Sequence, residues 1–239
     1  MSRSFFSPIS IVSGVSPALD ELAGQEQNNR FLRSRWFDKW CARAKAETSI
    51  GLFAAVTLAI KSLLGFEKDR WVSYRTLRGI LANRADCRDQ INERIVRQIV
   101  ADHASLFETV ESNPLTPRQR EAVASDEDAT LVIAGAGTGK TSTILAKIGL
   151  LLKAGQCAPN EILAISFTRK SADELAERVS KKLGIQLNIH TFHKLGLDII
   201  ASTEGGKPRL APFADDPVAK PQHMKRLIDK LCTEQSFKH

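Results

Sequence analysis

Cysteine is scarce here: four residues in 239, Cys41, Cys87, Cys157 and Cys232. No two stand at the short spacing of a metal knuckle or a redox pair. That excludes a disulfide scaffold and a zinc module, and thiols so scattered fit a reducing, cytoplasmic setting. Long apolar runs are missing too. The most apolar stretch, Ile50–Ile60, has eleven residues, against the ~20 needed to cross a bilayer. Its pattern predicts a buried core helix and no membrane partner. Met1–Asn29 has no charged head followed by a long apolar run, so no secretory signal is expected. Charge of one sign is not in great excess: 34 Lys and Arg stand against 27 Asp and Glu, a net of +7. The balance leans toward polyanion partners without marking one. No internal repeat and no low-complexity tract occurs. What is present is an ordinary globular composition, 43% hydrophobic and 26% charged. Collagen-like, mucin-like and wholly disordered chains are excluded.

Residues 1–30 mix Ser, Pro, Gly and Gln with few large apolar side chains, and read as a loose tail. Residues 31–112 read as a helical region of three or four helices. Between Phe31 and Asn113 there is no proline, and only Gly51, Gly65 and Gly79 interrupt. Leu77, Leu81, Ile91, Ile95, Ile99 and Leu106 recur near helical spacing. Arg84, Arg88, Arg94 and Arg97 share that stretch with Asp86, Asp89 and Glu93, and read as a solvated, ion-paired face. Asn113-Pro114-Leu115-Thr116-Pro117 ends this style, since no helix runs through two prolines so placed.

From 113 to 203 strand and helix alternate. Ala129–Ala134 and Ile162–Phe167 read as buried parallel strands, and Leu187–His190 as a third. Helices are predicted over Thr141–Lys153, closing at Gly155, over Arg169–Leu183, closing at Gly184, and over Phe192–Ala201. Gly205–Pro221 reads as a loop and His223–Cys232 as one more helix. Such repetition means an α/β fold with a parallel sheet and right-handed crossovers.

The sharpest local signal is Ala134-Gly135-Ala136-Gly137-Thr138-Gly139-Lys140-Thr141, set between a predicted strand and a predicted helix. Glycines let the backbone turn tightly and aim successive amides at phosphate oxygens. The following helix start, through Ser142, adds a partial positive charge. Lys140 can reach the β- and γ-phosphates, and the Thr141 hydroxyl can ligate Mg²⁺. Ala134 stands where the strict pattern has glycine, and a small residue suffices there. The loop points to a nucleotide with Mg²⁺, with Lys140 and Thr141 as the catalytic pair, and by itself leaves the purine and the substrate open.

Three further blocks flank the loop in order: Leu115–Val123 (LTPRQREAV), Ala164–Leu175 (AISFTRKSADEL) and Ile189–Gly196 (IHTFHKLG). Together they resemble the superfamily 1 DNA helicases of the UvrD/Rep type, and within them the helicase IV type of bacteria. The likeness spans roughly 105–203. It implies a RecA-like P-loop NTPase sheet, here incomplete, behind a helical N-terminal region, with residues 204–239 as the start of a helical insertion. It also implies 3′-to-5′ ATP-dependent DNA unwinding, in the DNA-repair class. Carried over by position, Gln119 would read the adenine edge, for which an amide offers a donor and an acceptor side by side. A helix-surface glutamine after a Thr-Pro start is the plain alternative. Phe167, Thr168 and Arg169 would begin a DNA-contacting block. The family usually has Asn where this chain has Arg169, though Arg can serve a phosphate. Thr191, Phe192 and His193 would line a single-strand channel, with the aromatic stacking on bases. Taken alone, Phe192 reads as core packing and His193 as a surface or cap residue; the block order favours the channel.

Hydrolysis in this family needs a second apolar strand ending in Asp-Glu. Asp215-Asp216 follows no strand, and Asp173-Glu174 falls inside a predicted helix. The expectation is therefore an ATP- and DNA-binding portion of a motor that lacks its second acidic motif and second motor domain. A complementing helicase segment is the expected partner beside DNA. The alternatives are a non-catalytic binding module or a pseudogene-like fragment. An unrelated P-loop protein, such as a small kinase, is disfavoured by the flanking blocks. An incomplete sheet also predicts an exposed apolar edge and poor solubility.

Overall fold

The computed structural model describes residues 15–206, 216 and 218–233. The chain divides into two compact units, one running to Ile162 and including Glu177–Leu187, the other holding Leu163–Ala176 and the residues from Asn188.

The first unit is helical. It holds α1 (Pro17–Gln27), α2 (Ser34–Thr48), α3 (Leu52–Leu63), α4 (Lys68–Ala82), α5 (Arg84–Asp102), α6 (Ala104–Thr109), α7 (Pro117–Ala124) and α8 (Lys140–Lys153). It also takes the second half of α9 (Arg169–Leu183). Leu77, Ile91 and Ile95 are buried, and Leu81 and Ile99 pack against the same core. That is the stripe expected of a helix facing a core.

The loose-tail expectation for 1–30 fails over Pro17–Gln27. Ser16 caps this helix and Pro17 starts it, while Ala18, Leu19 and Leu22 are buried. Glu47 of α2 completes the cap, accepting from Ser16 Oγ at 2.6 Å and from the Ala18 amide at 2.9 Å. A short helix with three apolar anchors is held by packing, which composition does not register. The remainder of that tail, 1–14, lies outside the described residues.

Trp40 sits at the centre of this core, fully buried, stacked on Phe37 at 5.4 Å and donating to the Ala18 carbonyl at 2.7 Å. Buried Asn92 closes the core from α5. Its Oδ1 accepts from the Leu32 amide at 2.7 Å, and its Nδ2 donates to the Leu32 carbonyl.

The helix predicted over Ile50–Ile60 forms as α3, but it is not a core helix. Leu52, Phe53 and Leu63 are more than 80% exposed, and only Leu58 is buried. Apolar residues ring most of α3, while α4 covers one side of it. No single helix among the described residues is long and apolar enough to cross a membrane.

Three of the four arginines in the stripe are ion-paired, and two of their partners come from far away, while Arg84 has no ion pair among the described residues. Arg97 meets Glu93 on its own helix, Arg94 reaches Glu26 at 2.8 Å, and Arg88 reaches Glu127 at 3.3 Å. Glu127 belongs to an acidic run, Asp126-Glu127-Asp128, that seals the start of α2. Glu127 accepts from the Ser34 amide at 2.6 Å and from its hydroxyl at 3.0 Å. Asp128 accepts from the Arg35 amide at 2.8 Å. Asp126 pairs with Arg33 at 2.5 Å. Two of these carboxylates, Glu127 and Asp128, meet free amides and the positive end of the dipole at the helix N-terminus.

Burial alone would raise the Glu127 pKa. The amides of Ser34 and Asp128, the Ser34 hydroxyl and the charge of Arg88 outweigh it and hold the pKa below the usual range. A carboxylate so lowered stabilises the fold above its unfolded pKa of ~4.3 and loses that contribution as pH falls through the folded value. Melting curves of wild type and Glu127→Gln should therefore differ at neutral pH and converge in acid. Parallel curves across the acid range would disprove the assignment.

The second unit carries the sheet. Strands β1 (Ala164–Ser166) and β2 (Ile189–Thr191) pair in parallel, with Ala164 opposite Ile189 and Ser166 opposite Thr191. Both fall within or beside the predicted runs. The first half of α9, which follows β1, belongs to this unit, and β2 leads into α10 (Phe192–Glu204) and α11 (Ala219–Thr233). Helix α9 has the predicted bounds, and Gly184 behind it has φ +69°. The loop expected over Gly205–Pro221 lies largely outside the described residues, and its last three belong to α11.

Ala129–Ala134 is the main correction. It forms no strand, and Leu131 and Ile133 are 84% and 89% exposed. A strand exists by pairing. Among the described residues the sheet contains only β1 and β2. An apolar run without a partner stays uncovered, which matches the expected exposed edge.

Candidate nucleotide and nucleic-acid sites

The phosphate loop lies in the first unit, and two helices set its shape. Thr116 caps α7 in a reciprocal capping box: the Gln119 amide donates to Thr116 Oγ1, and Gln119 Oε1 accepts from the Thr116 amide at 2.8 Å. The same side chain then reaches the loop, where Gln119 Nε2 donates to the Thr138 carbonyl at 3.0 Å. Gln119 thus spends one acceptor site and one N–H on structure and keeps one of each. It is both the plain capping residue and a loop contact.

Glycine is required where φ is positive. Gly137 has φ +72° and Gly139 φ +86°. A Cβ on Gly139 would stand 2.4 Å from Gln119 Nε2, so a side chain there would push the glutamine amide off the Thr138 carbonyl. Ala134 and Ala136 are not among the positive-φ positions, which is why alanine serves there. The Thr138 hydroxyl donates to the Gly135 carbonyl at 2.8 Å and tightens the turn.

Gly139 caps α8. The Thr143 amide donates to the Gly139 carbonyl at 2.9 Å. The amides of Lys140, Thr141 and Ser142 have no backbone acceptor among the described residues. Three amides at a helix start make an anion cradle. Lys140 is exposed and folds over the loop, donating to Gly135 O at 2.6 Å and Ala134 O at 3.3 Å. Thr141 is half-buried beside these amides. Ser142 accepts at 3.4 Å from Arg178, whose guanidinium also pairs with Glu111. No sequence pattern announces that tie, since 36 and 67 residues separate its members.

Behind the loop, Lys147 of α8 donates to the carbonyls of Val123 and Ser125, at 3.0 and 2.8 Å, where α7 ends. Burial lowers its pKa, against the opposing pull of Asp126. Gly149 lets α8 approach Leu106 and Leu183, whose methyl carbons would stand 3.2 and 3.1 Å from an added Cβ.

The proposed DNA block lies in the second unit. Phe167 follows β1 and is 91% exposed; Phe192 follows β2 and is 68% exposed. Because Ser166 registers with Thr191, the two rings leave the same end of adjacent parallel strands. Parallel neighbours lie ~4.8 Å apart, and ligands of open α/β sheets bind outside these carboxyl ends. Thr168 and Thr191 act as caps: Thr168 Oγ1 accepts from the Ser171 amide, and Thr191 Oγ1 from the Lys194 amide. Thr191 itself is buried. Arg169 and His193 are exposed at the first turns of α9 and α10. His190 of β2 has Nδ1 3.3 Å from Asp198.

The acidic pairs are accounted for otherwise. Asp173 and Glu174 are exposed on α9, with Glu174 4.0 Å from Lys170. Asp216 accepts from the Val218 and Ala219 amides at the head of α11. Asp215 lies outside the described residues.

Two features stand out: a glycine-rich loop with free amides at the start of α8 beside a capped glutamine, and a parallel strand pair ending in exposed aromatics. The UvrD/REP helicase N-terminal domain family matches residues 115–235, half of the chain, and the chain belongs to that family. It is similar to DNA helicase IV of Escherichia coli K12, with 33% identity over 183 residues, 76% of this chain and 27% of the relative. It also resembles ATP-dependent DNA helicase Rep of the same organism, at 46% over 90 residues, 36% of this chain and 13% of Rep. ATP-dependent DNA helicase UvrD1 of Mycobacterium leprae is 38% identical over 99 residues, 38% of this chain and 13% of that protein. The chain thus spans about a quarter or less of these relatives' lengths.

Proposed function

We propose that this chain binds ATP with Mg²⁺ on the 134–142 loop and single-stranded DNA at the carboxyl end of the β1–β2 pair. It would serve as the N-terminal, ATP-grasping part of a 3′-to-5′ DNA helicase of the repair class. The observation that carries this reading is the Gln119–Thr138 bond beneath Gly139. It joins the helix that would hold the base to the loop that would hold the phosphates. Gln119 keeps one N–H and one lone pair, the complement of an adenine edge. The amides of Lys140, Thr141 and Ser142 would bind phosphate oxygens, with the Lys140 ammonium turning from loop carbonyls to the outer phosphates. Thr141 fits Mg²⁺, which takes few protein ligands and shares phosphate oxygens. The ion would neutralise charge developing on the transferred phosphoryl group.

Phe167 and Phe192 would stack on bases without reading them, and Arg169 would meet a phosphate. Base–aromatic stacking contributes ~1–3 kcal/mol per base. Phe167→Ala and Phe192→Ala should therefore each weaken oligothymidylate binding about fivefold to a hundredfold. Fluorescence anisotropy with a labelled strand measures this. Unchanged affinity in both variants would refute the DNA site while leaving nucleotide binding to be judged by itself.

A second reading, binding without turnover, has its own support. Asp173 and Glu174 lie on the surface of α9 and Asp216 caps α11, so none of the three ends a strand as the family's Asp-Glu pair does. Steady hydrolysis stimulated by single-stranded DNA in the purified chain would overturn it. A complementing helicase segment that covers Leu131 and Ile133 belongs to the first reading.

A further inference from the structure

At the far end of α8 from the phosphate loop, the first unit opens into a groove of about 990 Å³. The part of α8 that lines it, from Lys147 to the helix end, lies roughly 10–20 Å along the helix from the loop. Its walls include Arg30, Phe31, Arg35, Trp36 and Lys39, with the end of α8 at Leu150 and Ala154. Five cations line it against three carboxylates. Two of those carboxylates have structural work: Asp126 is held by Arg33, and Asp128 seals α2. The third, Asp102, accepts from Gln98. Arg30, Arg35 and Lys39 are exposed and form no ion pair among the described residues, unlike Arg88, Arg94 and Arg97 of α5.

The chemistry of this wall is specific. Arg30 adjoins Phe31, and Arg35 adjoins Trp36, so cation and aromatic alternate twice within seven residues. Both rings are half-buried, with Trp36 packed on its inner side against the core. A ring fixed from behind and open in front is a stacking platform with little rotamer entropy to lose. Positive charge that tracks a backbone beside sequence-tolerant aromatic faces is how single strands are held. Duplex DNA keeps its base faces stacked inside and cannot use them.

We infer that this groove is a second single-stranded nucleic-acid site, in which Arg30, Arg35 and Lys39 meet phosphates while Phe31 and Trp36 stack on bases. It would hold a strand independently of the β1–β2 end, and its residues belong to neither the phosphate loop nor the flanking motif blocks.

The test is anisotropy of a fluorescein-labelled oligothymidylate of about fifteen nucleotides with the full chain. The charge reversal Arg30→Glu/Arg35→Glu/Lys39→Glu should weaken binding at least about tenfold at low salt. It should also reduce the slope of log affinity against log salt by about 2, three contacts at roughly 0.7 each. These side chains are exposed, so the melting temperature should hold. Trp36→Leu should weaken the oligonucleotide while leaving heparin binding intact, which separates stacking from simple polyanion attraction. A folded triple variant with unchanged affinity and slope would overturn the proposal. So would a Trp36→Leu protein that binds the strand normally. Phe167→Ala/Phe192→Ala in parallel keeps the two sites apart. Loss there alone sinks the groove, and loss in the groove variants alone sinks the sheet-end site.

Discussion

Lys140→Ala should lose about 10- to 100-fold in affinity for ATP–Mg²⁺ while melting within a degree or two of wild type. The size follows from the bond type, since hydrogen bonds to charged groups contribute ~1.5–3 kcal/mol. The neutrality toward stability follows from the geometry. Lys140 Nζ donates to the carbonyls of Gly135 and Ala134, yet it is exposed, and both acceptors can turn to water when it is removed. The loop keeps its shape through Gln119, Thr138 and the two positive-φ glycines, none of which needs the lysine. Titration of a fluorescent ATP analogue with and without Mg²⁺, beside a thermal melt, separates the two effects. Equal affinity in wild type and variant would remove the loop from the functional account.

Trp40→Ala is expected to have the largest effect on stability, about 3–5 kcal/mol for a buried aromatic truncated to alanine. In a chain of this size that lowers the midpoint by roughly 6–20 °C. Three losses combine: the buried ring itself, its stacking on Phe37, and the partner of the Ala18 carbonyl. The consequence should not stop at α1 and α2. The start of α2 is sealed by Glu127 and Asp128, which lead directly into the run before the phosphate loop. Arg88 of α5 and Lys147 of α8 grip the same segment. The N-terminal helices and the loop therefore belong to one cooperative unit. Nucleotide affinity in Trp40→Ala should fall at the temperature where helicity is lost, in a single transition. Two separated transitions, with nucleotide binding surviving the first, would show that residues up to 111 fold independently.

Local rules carried a large part of the architecture. Helix ends marked by glycine fell where expected, at Gly155 and Gly184, because a positive φ at a helix end is a property of one residue. The helix start at Thr116-Pro117 was readable in the same way, as was the order of motifs around the loop, whereas the bonds of Gln119 were not. Burial was less legible. Ile50–Ile60 and Ala129–Ala134 are both apolar, yet α3 and Leu131–Ile133 are largely exposed. Apolar composition states what a segment would bury, and only a neighbouring surface decides whether it does. The same limit explains why Pro17–Gln27 was mistaken for a loose tail.

The sequence by itself determined the glycine-rich loop motif, the family and the bounds of α8 and α9, since these rest on backbone conformation and short-range spacing. Only the tertiary structure decided what Gln119 touches, what a side chain at Gly139 would displace, and how Asp126-Glu127-Asp128 ties the N-terminal helices to the loop. It alone set Phe167 and Phe192 at one end of a strand pair and opened a cationic groove beside Trp36. The physical reason is range. Glycine and capping act within a turn of chain, whereas ion pairs, register and burial join residues that only folding brings within a few ångströms.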